Sequence, residues 1–267
     1  AWLGIPVALE IHTPPADGGK IDAMLFRRLV GSRQLRRVVA ISDALRARIE
    51  CEQPELADRL LVAHDAADAV ADGQIEPVTL RGRTDRLNVG YVGHLYEGKG
   101  MELIAKIARE CPWADFHIVG GTTADIDRWS SEVRDADNVH FYGHVPHGQT
   151  PAYLAAFDVL LAPYQRRVTV LGLGDISSWM SPLKIFEYMA ADKPIVCSDL
   201  PVLQEILDHD ETAIFCDPEE VTDWVSALER LSRDAALRNR LGATARTVLV
   251  DRYSWTERAR RILEGLN

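Results

Sequence analysis

Short apolar runs rich in β-branched residues alternate with stretches of helical period from one end of the chain to the other. The runs are Pro6–Ile11, Arg37–Ile41, Leu60–Ala63, Asn88–Val92, Asp115–Val119, Val139–Tyr142, Asp158–Ala162, Pro194–Ser198 and Thr212–Cys216. Between them lie amphipathic stretches such as Met101–Glu110, Pro151–Ala156 and Pro182–Ala191. This alternation predicts βαβ units, and hence an α/β fold with a parallel, doubly wound sheet. Several runs are apolar at nearly every position, as a strand must be when helices cover both faces of its sheet.

The segment Ala69–Arg86 breaks the pattern. It is polar, carries Gly73, Pro77 and Gly82, and has no clean period, so we place a domain boundary there. The six runs that follow suit one Rossmann-like domain over 87–250. The three that precede it are too few for a comparable domain, so 1–86 is expected to be an incomplete N-terminal domain with its linker. The chain opens at Ala1-Trp2-Leu3-Gly4, without an initiator Met, and runs straight into an apolar segment, which agrees with an opening in mid-domain. Strands that lack their neighbours leave a bare edge, so self-association through this first segment is expected. Residues 251–267 hold a C-terminal helix, Tyr253–Gly265, with Ser254 and Glu257 spaced as a capping box. It is expected to pack back toward the first domain.

Composition narrows the function. The chain of 267 residues is 47% hydrophobic and 26% charged, enough apolar material for a buried core. A net charge of −10 argues against a nucleic-acid partner but not against a small anion, which needs only a few placed cations. No apolar run approaches the roughly 20 residues of a membrane-spanning helix. Arg27, Arg28, Arg33, Arg36 and Arg37 form one basic stretch, which reads either as a solvated helix face or as a peripheral contact with an anionic membrane. Cys51, Cys111, Cys197 and Cys216 form no CxxC pair, and the last two lie in apolar runs as small core residues. A reducing, cytoplasmic location fits this usage, with attachment at the membrane surface if the arginine stretch provides it.

Chemistry concentrates where runs end. In Ser181-Pro182-Leu183-Lys184-Ile185-Phe186-Glu187, Ser181 suits a helix N-cap and Pro182 the first helical position. The free amides of Leu183 and Lys184, aligned with the helix dipole, then form an anion site. Glu187 lies one turn on, nearly on the face of Lys184, where a carboxylate can accept from two ribose hydroxyls. The plainer reading is a capped helix with an exposed Lys–Glu pair. A second segment, Gly90-Tyr91-Val92-Gly93-His94-Leu95-Tyr96-Glu97-Gly98-Lys99-Gly100, ends a strand in a glycine-rich turn. Glycines let backbone approach a phosphate, and an exposed Lys99 adds a compact charge, although the spacing is not that of a P-loop. Val119-Gly120-Gly121-Thr122 and Tyr142-Gly143-His144-Val145 are further strand-end turns. In a parallel sheet these carboxyl ends share one edge, where ligands bind.

From about Asn88 onward the chain resembles the C-terminal domain of retaining GT-B glycosyltransferases, the large family four (glycosyl transferases group 1). Four segments carry the resemblance in order: GYVGHLYEGKG at 90–100, FHIVGG at 116–121, VHFYGHVPHGQTPAYLAAFDVLLAPY at 139–164 and SPLKIFEYMAADKPIVCSDLPVLQEIL at 181–207. Upstream, VVAISDALRARI at 38–49 and LLVAHDAAD at 60–68 resemble the last strands of that family's first domain. The resemblance implies transfer of a sugar from a nucleotide-diphosphate sugar to a glycan, lipid or small-molecule acceptor, with retention of configuration, without a metal and without a further cofactor. It implies Lys99 on the donor diphosphate, the amides at Leu183 and Lys184 on the phosphates, and Glu187, the second Glu of a Glu-x7-Glu motif, on the ribose. It places His144 near the base, and His12, in Glu10-Ile11-His12, beside the donor sugar and acceptor. Gly93, His94, Gly120 and Ser181 complete the implied donor site.

Two positions depart from that family. His94 stands in place of an Arg, and Trp179 in place of the first Glu of the motif. The loop Gly172–Met180 must then hold the sugar differently, through Asp175 or backbone groups. These departures keep two alternatives open: a nucleotide-binding module without catalysis, and a GT-B-fold nucleotide-sugar epimerase. Asp125-Ile126-Asp127 spells a metal-binding motif of another fold but falls in an expected helix without further oxygen ligands. His117 and His140 lie in expected strands and read as structural.

Overall fold

The computed structural model describes residues 5–15, 17, 19–69, 73, 75–170 and 174–266. The opening Ala1–Gly4, part of the expected linker and Gly172 lie outside the described residues. The first segment forms β1 (Val7–Ile11), α1 (Lys20–Val30), β2 (Leu35–Ala40), α2 (Asp43–Glu52) and β3 (Leu60–Val62), with a 3-10 stretch over Pro54–Arg59. The strands make a parallel sheet in the order β1-β2-β3. Ser42 starts α2 by accepting from the Leu45 amide at 3.1 Å, and Leu45 and Ile49 turn inward onto Val38 and Ala40.

Beyond the linker come β4 (Leu87–Val92), α3 (Met101–Glu110), β5 (Ala114–Val119), α4 (Thr123–Glu132), β6 (Val139–Gly143), α5 (Thr150–Ala156) and β7 (Val159–Ala162). They are followed by β8 (Thr169–Val170), β9 (Gly174–Asp175), α6 (Leu183–Ala190), β10 (Ile195–Ser198), α7 (Pro201–Gln204), β11 (Ala213–Cys216), α8 (Val221–Arg233), α9 (Ala235–Arg252) and α10 (Trp255–Leu263). Six of these strands form a parallel sheet in the order β11-β10-β7-β4-β5-β6. Alternate residues feed opposite faces: Val89, Tyr91, Val159 and Leu161 pack with α3 and α8, whereas Leu160, Ala162, Ile195 and Cys197 pack with α6 and α9. Coverage of both faces explains why these strands carry so few polar residues.

Every expected strand is present to within a residue or two. The antiparallel pair β8–β9 is additional: at two residues per strand it has no readable period. Two expected caps are corrected. Pro182, not Ser181, occupies the N-cap position of α6, and no side chain caps that helix, because the Ser181 hydroxyl instead accepts the Asp65 amide at 3.0 Å. Ser254 does cap α10, but Glu257 turns away to pair with Arg260, so only half of the box forms. His117 is buried between the Tyr142 hydroxyl and Asn88, and Asp125 is used in a capping box with Thr122. Among the described residues no helix is long and apolar enough to cross a membrane.

The two sheets are tied by polar contacts and by one aromatic plug. Trp179, from the loop before α6, packs into the first sheet's apolar cluster, and its carbonyl accepts the Ser42 hydroxyl at 2.8 Å. Glu205, just past α7, accepts the amides of Asp43 and Ala44 at the start of α2 and meets His64 at 2.9 Å. From α10, Arg258 makes a two-pronged pair with Glu10 and bonds the carbonyls of Ala63 and His64. Arg37 reaches the carbonyls of Arg261 and Ile262, so this member of the basic stretch is committed within the protein.

Candidate functional site

The order in which strands are added reverses at β4: β5 and β6 lie to one hand, β7, β10 and β11 to the other. Such a switch point opens a crevice at the carboxyl ends of the strands. Here the crevice is a cleft of about 580 Å³ facing the first sheet. His12, Gly93, His94, Lys99, Gly120, His144, Ser181, Leu183, Lys184 and Glu187 all line it, although they come from five separate segments of sequence. A second hollow of about 760 Å³ adjoins it beyond Glu187.

The floor is made by strand-end turns. The Gly93 amide bonds the Val119 carbonyl and the Gly120 amide bonds the Gly143 carbonyl, which sets the three turns side by side. Gly120 has φ +117°, and a Cβ there would lie 2.1 Å from the Gly93 carbonyl oxygen, so only glycine allows this approach. Exposed His94 stacks on Tyr96 at 4.8 Å at the lip.

The cations are arranged differently from the sequence reading. Lys99 is half-buried rather than exposed, with Nζ 4.9 Å from the Tyr164 ring centroid, and burial lowers its pKa. Lys184 contributes more than its amide. Its stem is partly exposed, but Nζ is buried, 3.7 Å from the Tyr91 ring centroid and 5.3 Å from that of Tyr164. Nζ makes no hydrogen bond with any described residue. Burial, then the charge of Lys99, holds the Lys184 pKa well below the lysine range, while Glu187 pulls the other way. Two ammonium groups thus converge on one aromatic ring beside the uncapped start of α6. Gly93 is part of the arrangement, because a Cβ there would stand 2.9 Å from Lys184 Nζ.

Glu187 follows one turn along α6, with His147 at 3.8 Å. Burial raises its carboxyl pKa, opposed by His147 and Lys184. His144 is exposed on the same side. At the opposite wall, His12 bonds Glu10 at 2.7 Å. Beside it stands Asp65, 8% exposed, a cleft residue that the sequence reading did not single out. No local pattern marks Asp65: it reaches the cleft because its amide is anchored on Ser181. Asp175, offered as a sugar ligand, points its carboxylate at the amides of Val168 and Ser177. Among the described residues, two groups of side chains have the makings of a cation site, Glu10–His12–Asp65 and Asp43–His64–Glu205. In each the central carboxylate already has partners, Arg258 for Glu10 and two amides with His64 for Glu205.

Residues 86–234 match the family described as Glycosyl transferases group 1. The chain is 24% identical over 274 aligned positions to an alpha-D-kanosaminyltransferase of Streptomyces kanamyceticus, covering 94% of this chain and 68% of that protein. It is 21% identical to the putative teichuronic acid biosynthesis glycosyltransferase TuaH of Bacillus subtilis, covering 83% of this chain but only 56% of the relative. Among solved structures, HepE of Anabaena in complex with UDP superposes with a TM-score of 0.75 at 16% identity, over 98% of this chain and 72% of that one. Sucrose-phosphate synthase of Thermosynechococcus elongatus superposes with a TM-score of 0.73 at 19% identity, over 96% and 65%. These structural likenesses establish the GT-B fold.

Proposed function

The chain belongs to the glycosyl transferases group 1 family, and from that premise we propose that it binds a nucleotide-diphosphate sugar in the cleft and transfers the sugar to an acceptor with retention of configuration. The observation that carries this reading is Lys184 Nζ, buried without a hydrogen-bonding partner next to Lys99 and the open end of α6. A buried ammonium is costly unless an anion meets it, and a diphosphate brings two or more negative charges to that place. Lys99, Lys184 and the amides of Leu183 and Lys184 hold the diphosphate in this reading. Glu187 accepts from the ribose hydroxyls, His144 lies toward the base, and His12 faces the sugar. Gly93 and Gly120 keep the floor low enough for phosphate to approach.

The chemistry follows from the charges. The bond between the anomeric carbon and the diphosphate oxygen breaks with its electron pair on oxygen. The two ammonium groups and the helix dipole stabilise that developing charge. The acceptor oxygen forms the new bond to the anomeric carbon, and its proton passes to the departing diphosphate oxygen. Charge neutralisation by lysine makes no demand for a metal. A second reading, binding without transfer, is favoured by Trp179, which fills the first sheet's cluster where the resemblance implies a carboxylate.

A thermal-shift screen of UDP-, GDP- and ADP-sugars tests binding. A ligand at about 100 times its Kd adds about 2.7 kcal/mol of stability. Absence of stabilisation by every donor overturns the proposal. Release of nucleoside diphosphate only when acceptor is added separates transfer from binding alone.

A further inference from the structure

A sugar presents several hydroxyl groups, and a site that selects among sugars needs fixed acceptors for them. Only two carboxylates border the cleft among the described residues, Glu187 and Asp65. They occupy separate charge neighbourhoods. Glu187 feels His147 and Lys184, on the phosphate-gripping helix. Burial of Asp65 disfavours its ionisation, as does Glu10, while His12 and Arg258 on the first sheet's side and the Ser181 hydroxyl, which meets its carboxyl, favour it.

Asp65 is nonetheless tied to the phosphate end. Its amide donates to Ser181 Oγ at 3.0 Å, and Ser181 stands two residues before Leu183, the first residue of α6. A ligand whose diphosphate rests on α6 and whose ribose meets Glu187 therefore has its remaining end next to Asp65 and His12. Asp65 is 8% exposed, so it is reached from inside the cleft, whereas the His12 side chain is 57% exposed and open to an incoming molecule. The other polar groups nearby are committed: Asp175 to the amides of Val168 and Ser177, and Glu10 to Arg258.

We propose that Asp65 is a specificity-determining residue, the carboxylate that accepts hydrogen bonds from hydroxyl groups of the donor's sugar. The inference rests on the reading of the cleft as a nucleotide-sugar site. It assigns the sugar's polar recognition to the first sheet's last loop rather than to the loop before α6.

The test uses the 267-residue chain and its Asp65→Asn and Asp65→Ala variants. Calorimetry measures the affinities of UDP, GDP and ADP, and of UDP-glucose, GDP-mannose and ADP-glucose. Both substitutions keep the backbone amide that bonds Ser181, and nucleoside diphosphate binding itself reports that the cleft is intact. We expect the variants to hold nucleoside diphosphate within about twofold of the parent, and to lose about tenfold or more for the matching nucleotide sugar, the size of a hydrogen bond to a charged group. An unchanged ratio of the two affinities, or equal losses in both, overturns the role of Asp65 and leaves the proposed function standing. Failure of the parent chain to bind any of the six compounds overturns both.

Discussion

Lys184 carries an electrostatic cost in the cleft. Its ammonium rests on the Tyr91 ring and is disfavoured by burial and by Lys99. Lys99 is lowered by burial as well. An arriving diphosphate favours the protonated form of each, so both pKa values rise on binding. The sign follows: between the depressed values of the free protein and the higher values of the complex, binding takes up protons. Affinity therefore falls as pH climbs through that interval. Calorimetry of nucleoside diphosphate in buffers of different ionisation enthalpy should show net proton uptake. Lys184→Met keeps the apolar stem and removes the charge. It should weaken nucleoside diphosphate binding by about 1.5–3 kcal/mol, abolish most of the proton uptake, and leave the fold as stable or more so, because a buried charge without a partner is gone. A folded variant with unaltered affinity and unaltered uptake refutes the assignment.

At the scale of elements, α6 combines two tasks. Ile185, Phe186, Tyr188 and Met189 anchor it in the core, while Lys184 and Glu187 face the cleft. Core anchoring on one face gives the other a fixed geometry. If Glu187 meets ribose, then Glu187→Gln should weaken nucleoside diphosphate binding while affecting inorganic pyrophosphate much less, since pyrophosphate has no ribose. Equal losses for both ligands, measured by calorimetry, remove Glu187 from the ribose. The helix was legible because Pro182 and the apolar spacing after it are local signals. Its cap was not, because Ser181 is drawn away by Asp65 from a loop 116 positions earlier. The role of Trp179 was hidden for the same kind of reason: its packing partners lie in the first sheet, and Ser42 is 137 positions away.

At the scale of the whole molecule, the cleft is lined from both sheets and depends on the contacts that tie them together. Glu205 is one of the ties. Burial raises its carboxyl pKa, but His64 and the amides of Asp43 and Ala44 outweigh that and leave it below the usual carboxylate range. A carboxyl whose folded pKa is depressed contributes stability above its unfolded pKa and loses it as pH falls through the folded value. Glu205→Gln should therefore lower stability at neutral pH by about 1–3 kcal/mol. The gap from the parent should close as the solution is acidified into and below the carboxylate range. Denaturant unfolding at several pH values measures it, and a gap that does not change with pH refutes the account.

The sequence by itself determined the α/β class, the positions of nine strands and the gathering of glycine-rich turns at strand ends. Each of these is written in short windows, as apolar period, as turn residues and as the spacing of cap and helix. It also set the strand-end turns on one rim, because strand ends in a parallel sheet share an edge; the residues named from those turns line one cleft. Tertiary structure alone decided which charges are buried. Lys184 reads as half of an exposed pair until Tyr91 and Tyr164 close over its ammonium, and those rings come from a strand and a strand end 93 and 20 positions away in the chain. Asp65 reads as a loop residue until Ser181 holds it at the cleft. Burial and charge environment depend on the sum of distant neighbours, and no local pattern records that sum.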